Sequence, residues 1–135
     1  MATANDNKHL IQRIFSDLSV GNSRAFVDHL ADDVSWIVMG RTPWSKTYHG
    51  KHAVLTELFG ELRSRLADRY RATADRVIAE GDLVVVQAHG EATTKSGHPY
   101  NNDYCFIYRI VDGTIKEVTE YLDTELVASA LGAPS

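Results

Sequence analysis

Three side chains in the C-terminal half of the sequence have the types needed to move a proton: His89, Asp103 and Glu120. An imidazole exchanges a proton near neutral pH, and a carboxylate close by holds the ring and favours its charged form. Glu120 stands in a run with Val118 and Leu122 and near Ile107 in the run before it. Burial among such residues penalises a carboxylate and raises it toward a useful acid/base range. Asp103 on the same face would supply a second carboxylate of unequal pKa. Each also has a plainer role: a structural hydrogen bond for Glu120, a solvated rim for Asp103 and a water-facing position for His89.

The element that must position these groups is a hairpin. Asp112-Gly113 joins two β-rich runs, and a two-residue turn of that type needs positive φ, which this pair tolerates. With Val111 facing Thr114, the ladder pairs Ile107 with Val118, Cys105 with Glu120 and Asp103 with Leu122, all on one face. The other face then carries Asn102, Tyr104, Phe106, Tyr108, Glu117, Thr119, Tyr121 and Asp123. A bulge beside Gly113 would break this pairing, and a slip of one residue would exchange the faces. Alternation puts His89 with Gln87, Glu91 and Thr93, opposite Val84, Val86 and Ala88. Asp123 precedes Thr124-Glu125-Leu126-Val127 and suits a helix cap, though a bulge would turn it toward the site. Trp36 and Trp44 could pack a planar hydrophobic ligand, and Tyr48 could add a hydroxyl. Trp36 suits the core as well as a pocket wall, and Trp44 could lid a core edge.

Helical spacing of Leu10, Ile11, Ile14, Phe15 and Leu18 predicts a first helix after a frayed segment over residues 1–7 and ending near Gly21. Asn22 or Ser23 can cap a second, through Arg24–Leu30. Val34–Met39 reads as a strand, Gly40–Gly50 as a loop, and Lys51 to Leu66 as a long helix with Gly60 packed close to the sheet. Tyr70–Ile78, Leu83–Lys95 and the hairpin complete a four-strand meander. Helices first and strands afterwards argue for α+β with a largely antiparallel sheet.

At 135 residues the chain is most simply one domain, residues 1–135, able to bury a core without staples. A formal charge of −4 offers no basic surplus for phosphates, so nucleic acid is not an expected partner. The N-terminus has no apolar signal region and no run approaches membrane-spanning length, so no membrane association is expected. The lone Cys105 excludes an intrachain disulfide and suits a reduced cytoplasmic protein. His9, His29, His49, His52 and His98 show no paired metal spacing, and no glycine-rich phosphate loop occurs, so neither metal nor cofactor is expected.

The order of elements, with Ala31-Asp32-Asp33-Val34-Ser35-Trp36, Tyr48-His49-Gly50-Lys51-His52-Ala53-Val54, Asp112-Gly113-Thr114-Ile115 and Glu120-Tyr121-Leu122-Asp123-Thr124, resembles the nuclear transport factor 2-like, or ketosteroid isomerase-like, superfamily. Within it the chain looks like the SnoaL-like relatives of polyketide cyclases. The resemblance implies a cone-shaped α+β fold, three N-terminal helices on a curved, mainly antiparallel sheet, and a small hydrophobic or polyketide-like ligand in the cone. It is specific for fold and weak for reaction, since this fold hosts isomerases, cyclases, hydrolases, dehydratases and binders.

The isomerase positions for tyrosine, general base and protonated acid fall on Ile14, Val38 and Cys105, which disfavours that mechanism. Relatives resembling limonene-epoxide hydrolases place an acid in the last strand, which Glu120 matches, but the strand that supplies their Arg and first Asp carries Gln87 and His89. The resemblance therefore implies a pocket containing Val38, Gln87, Cys105, Ile107, Val118, Leu122 and Asp123 beside Trp36 and Tyr48, with Glu120, His89 and Asp103 as its acid/base set. Isomerase, cyclase or hydratase chemistry is the expectation, and a non-catalytic ligand-binding or dimerisation module the alternative. Helices in this fold cover only the concave face, so Tyr104, Phe106, Tyr108 and Tyr121 are expected on an outer homodimer interface.

Overall fold

In a computed structural model, which describes residues 2–135, α1 runs Ala4–Leu18 and buries Leu10, Ile11, Ile14, Phe15 and Leu18. It starts earlier than expected because Thr3 and Asp6 form a reciprocal capping box: the Asp6 amide donates to Thr3 Oγ1 at 3.1 Å and the Thr3 amide to Asp6 Oδ2 at 3.0 Å. A short α2, Arg24–His29, leads directly into β1, Leu30–Val38. The stretch expected to be all loop contains β2, Thr47–His49, which pairs antiparallel with β1.

The long helix spans residues 51–65, and its central Val54–Gly60 is π-helical. Gly60 owes its place to this widened turn and not to the sheet, since a Cβ there would lie 3.2 Å from the Leu55 carbonyl oxygen. The meander follows as β3 Arg71–Glu80, β4 Leu83–Glu91, β5 Asp103–Val111 and β6 Thr114–Leu122, and a C-terminal helix runs Thr124–Leu131. No helix among the described residues is long and apolar enough to cross a membrane.

The fold is α+β: a curved six-stranded sheet in the order β2-β1-β6-β5-β4-β3 with helices on its inner face, β1 and β6 parallel and the other neighbours antiparallel. Two rows fill its inner face. Val38, Glu120, Phe106, Val86 and Val77 are successive partners from β1 to β3, and beside them run Trp36, Val118, Tyr108, Val84 and Ala79.

These rows correct the expected hairpin register. Val111 faces Thr114 and Ile110 faces Ile115, but Arg109 faces Glu117, so Lys116 is an extra residue. A bulge of this kind rotates the rest of its strand by one face. Glu120 therefore lies opposite Phe106, and Cys105 lies opposite Tyr121. Tyr104, Phe106 and Tyr108 are buried inside the sheet, and of the expected outer stripe only Tyr121 is exposed.

Candidate active site

The concave face and the helices enclose a cavity of about 580 Å³. Small residues make room for it at one end of the sheet: Ala72 pairs with Gly90 and Ala74 with Ala88. A Cβ on Gly90 would lie 2.7 Å from the Tyr70 hydroxyl, so glycine there lets the Tyr70 ring lie flat against β4. Helical side chains close the other walls, with Phe15 and Leu18 from α1, Phe26 from α2, and Leu58, Phe59 and Leu62 from the long helix. Trp44 also lines the cavity, and its indole N–H donates to the Gly132 carbonyl at 2.7 Å, tying the loop before β2 to the chain end.

Glu120 is the one carboxylate deep in this cavity; the other acidic lining residue, Asp68, is solvent-exposed. Glu120 is half-buried and lines the cavity. Trp36 Nε1–H donates to Glu120 Oε1 at 2.8 Å. The Trp36 ring is fixed for this by Phe59, edge-on at 5.1 Å between centroids, and by Phe26 at 5.7 Å. Burial pushes the Glu120 carboxyl up from its ordinary 4.5 to about 7, against the smaller opposing effect of the Trp36 hydrogen bond, which favours the charged form. Near neutral pH the group is thus balanced between acid and base, the condition for exchanging protons with a bound molecule.

Four tyrosines share the cavity with it: Tyr70, Tyr100, Tyr104 and Tyr108. Burial holds all four phenols above their ordinary range, Tyr100 at about 12, and the nearby Glu120 charge acts in the same direction. They stay protonated and able to donate. The Tyr70 and Tyr104 rings meet edge-on with centroids 6.4 Å apart, and the Tyr100 hydroxyl accepts from Asn102 Nδ2 at 3.3 Å. The Tyr108 hydroxyl is buried without a hydrogen-bond partner among the described residues.

Of the residues expected at the site, Trp36, Val38, Glu120 and Leu122 line the cavity. The bulge and the alternation of β4 remove others. His89 pairs with Asp103 across β4 and β5, Gln87 pairs with Cys105, and Ile107 faces Thr119, all on the outer face. His89 turns to Asp75, whose two carboxylate oxygens each lie 2.9 Å from Nδ1, and that hydrogen bond raises the imidazole pKa. Glu120, His89 and Asp103 therefore do not converge. Val118 is buried in the core but is not a cavity wall. Tyr48 is also buried away from the cavity, its hydroxyl donating to the Trp44 carbonyl at 2.9 Å. Asp123 caps the C-terminal helix, accepting from the Glu125 and Leu126 amides at 3.1 and 3.3 Å.

The tyrosines were hidden from sequence reasoning by the register, although the alternation of Tyr104, Phe106 and Tyr108 was visible as a stripe. Tyr70 and Tyr100 lie at strand edges, where no periodicity marks them. Among the described residues no three of His, Cys, Asp and Glu come together as a metal-ligating group.

A family model described as SnoaL-like domain matches residues 11–118. Solved structures agree on the fold. An NTF2-like protein from Burkholderia thailandensis is 21% identical with a TM-score of 0.79, covering 96% of this chain and 98% of its own. TerC, co-crystallised with polyporic acid, is 20% identical with a TM-score of 0.76, covering 94% and 98%. A protein of ketosteroid isomerase-like fold from Catenulispora acidiphila, in complex with trimethylamine, is 15% identical with a TM-score of 0.72, covering 93% of each chain. Among curated proteins none matches the sequence. On the family match, which begins within the first helix, takes in Trp36 and ends within β6 just short of Glu120, the chain belongs to the SnoaL-like domain family.

Proposed function

We propose that this protein binds a small, flat, hydrophobic or polyketide-like molecule in its cavity and moves a proton on it, as an isomerase, cyclase or hydratase working without a cofactor. The observation that carries this reading is Glu120: a carboxyl with a pKa of about 7, inside an apolar cavity, oriented by a hydrogen bond from a clamped indole. Glu120 takes a proton from a carbon next to a carbonyl and returns it elsewhere, while protonated tyrosines donate to the developing oxyanion. The crystallised complex of TerC with polyporic acid supports the substrate class.

The test is exchange of carbon-bound hydrogen for solvent deuterium in a panel of aryl ketones and naphthols, followed by mass spectrometry with the wild type and Glu120→Gln. Exchange that depends on Glu120 supports the assignment. Exchange at the wild-type rate in Glu120→Gln means that the base is another group.

A second reading, a binder without turnover, is favoured by the isolation of Glu120 from His89 and Asp103, which leaves no second ionisable carboxylate or imidazole beside it in the cavity. Tight binding of panel members with no exchange at any pH would select it. In either case we propose a homodimer formed through the outer face of the sheet. There Ile37, Thr119, Ile107, Val85 and Ile78 make a row across five strands, and Ile78, Leu83 and Tyr121 are exposed.

A further inference from the structure

The polar wall residues of the cavity divide by depth. Glu120 and the tyrosines lie inside, while Asn22, Ser23, Arg24, Arg63, Asp68 and Arg69 are exposed at the mouth. These exposed lining residues include three guanidiniums and a single carboxylate, and Asp68 Oδ1 already accepts the Thr93 amide at 2.8 Å. Arg63 and Arg69 form no ion pair with a described residue, and Arg24 reaches only Asp28, at 3.9 Å with both side chains largely in solvent. The whole chain carries a formal charge of −4. A basic mouth on an acidic molecule concentrates anions at that one place. Arg69 is also built in: Gly21, with φ +82°, leaves the space its stem occupies, and a Cβ there would overlap Arg69 Cγ and Cδ.

We propose that the ligand is an amphipathic acid, with a flat apolar body inside the cavity and one anionic group, a carboxylate or an equivalent oxyanion, held at the mouth by Arg63 and Arg69 with Arg24 beside them. A guanidinium presents paired N–H donors that match such a group in a fork, and it gives up hydration more readily than an ammonium. The inference rests on the reading of the cavity as a ligand site. It adds the ligand's charge and its direction of entry: the anion stays outside, and the reactive end goes in toward Glu120.

The experiment is a fluorescence titration of the full chain with two probes that differ by one anionic group, anilinonaphthalene sulfonate and its neutral parent N-phenylnaphthylamine. The expected result for Arg63→Gln/Arg69→Gln is a loss of about tenfold in affinity for the sulfonate, equivalent to about 1.4 kcal/mol, with affinity for the neutral probe held within about twofold. Retained binding of the neutral probe also shows that the variant is folded. Arg63→Lys/Arg69→Lys keeps most of the sulfonate affinity, and Lys116→Gln, remote from the mouth, changes neither probe. Equal effects on both probes, or no effect on either, overturn the anion inference and leave the cavity reading standing. Failure of both probes to bind the wild type overturns the two together.

Discussion

The indole N–H of Trp36 reaches the carboxyl of Glu120 at 2.8 Å across the parallel β1–β6 seam. Val38 is the backbone partner of Glu120 and Trp36 that of Val118, so the bond runs diagonally between neighbouring rows of the inner face. The proton affinity of the site depends on this pair: burial raises it and the indole lowers it.

Glu120 makes stability depend on pH in the direction opposite to most acids. Its folded pKa is raised, so the folded state holds more protons than the unfolded one between pH 4.5 and about 7. Below that window both states are protonated and there is no penalty. Stability falls as pH rises through the window and levels off above about pH 7, with about 3 kcal/mol lost. Glu120→Gln, whose amide oxygen can still accept from Trp36, removes this dependence. Urea unfolding at pH 4 and pH 8 should show the variant equal to the wild type at the first and more stable, by up to about 3 kcal/mol, at the second.

Trp36→Phe removes the one hydrogen bond that favours the charged carboxylate. A hydrogen bond to a charged group contributes about 1.5–3 kcal/mol and one to a neutral group about 0.5–1.5, so the difference between the two protonation states is roughly one pKa unit. The Glu120 pKa should rise above 7 by about that amount, and a proton abstraction that needs the carboxylate should need a higher pH. Carboxyl titration followed by infrared absorption in both proteins measures the shift.

His89 lies on the other side of the sheet, bound to Asp75. His89→Ala should leave both ligand affinity and Glu120-dependent exchange unchanged, measured by the same titration and mass-spectrometric assays.

The layout of elements could be read because it rests on local signals: helical spacing in α1, the Asp112-Gly113 turn, the alternation in β4. The inward position of Glu120 could also be read, but its surroundings could not. One extra residue, Lys116, turns β6 relative to β5 and exchanges Cys105, Ile107 and Asp103 for Phe106, Tyr104 and Tyr108 as its neighbours. No residue type in Gly113-Thr114-Ile115-Lys116-Glu117 marks a bulge. What demands it is tertiary: without it Ile115 and Val118 could not both be buried on the inner face, as they are. The basic mouth was equally illegible, since Arg24 is far in sequence from Arg63 and Arg69 and the three line one cavity only in the folded chain.

Asn102 joins the start of β5 to the end of β6, and so sets where Tyr100 and Glu120 lie relative to each other. It is fully buried, and its amide is satisfied on both sides. Nδ2 donates to the Asp123 carbonyl at 3.1 Å and to the Tyr100 hydroxyl at 3.3 Å, while Oδ1 accepts from the Asp103 and Asp123 amides at 2.8 and 3.0 Å. Alanine leaves several of these groups buried and unpaired, each costing about 1–3 kcal/mol. Asn102→Ala should therefore destabilise by about 3 kcal/mol or more in urea unfolding, where a surface polar residue would cost less than about 0.5 kcal/mol. Asn102→Asp separates hydrogen bonding from volume. Its carboxylate still accepts from both amides but can donate to neither Tyr100 nor Asp123, so ligand affinity should fall through Tyr100 even where the protein remains folded. Stability close to the wild type in Asn102→Ala would show that this buried network does not hold the strand ends together.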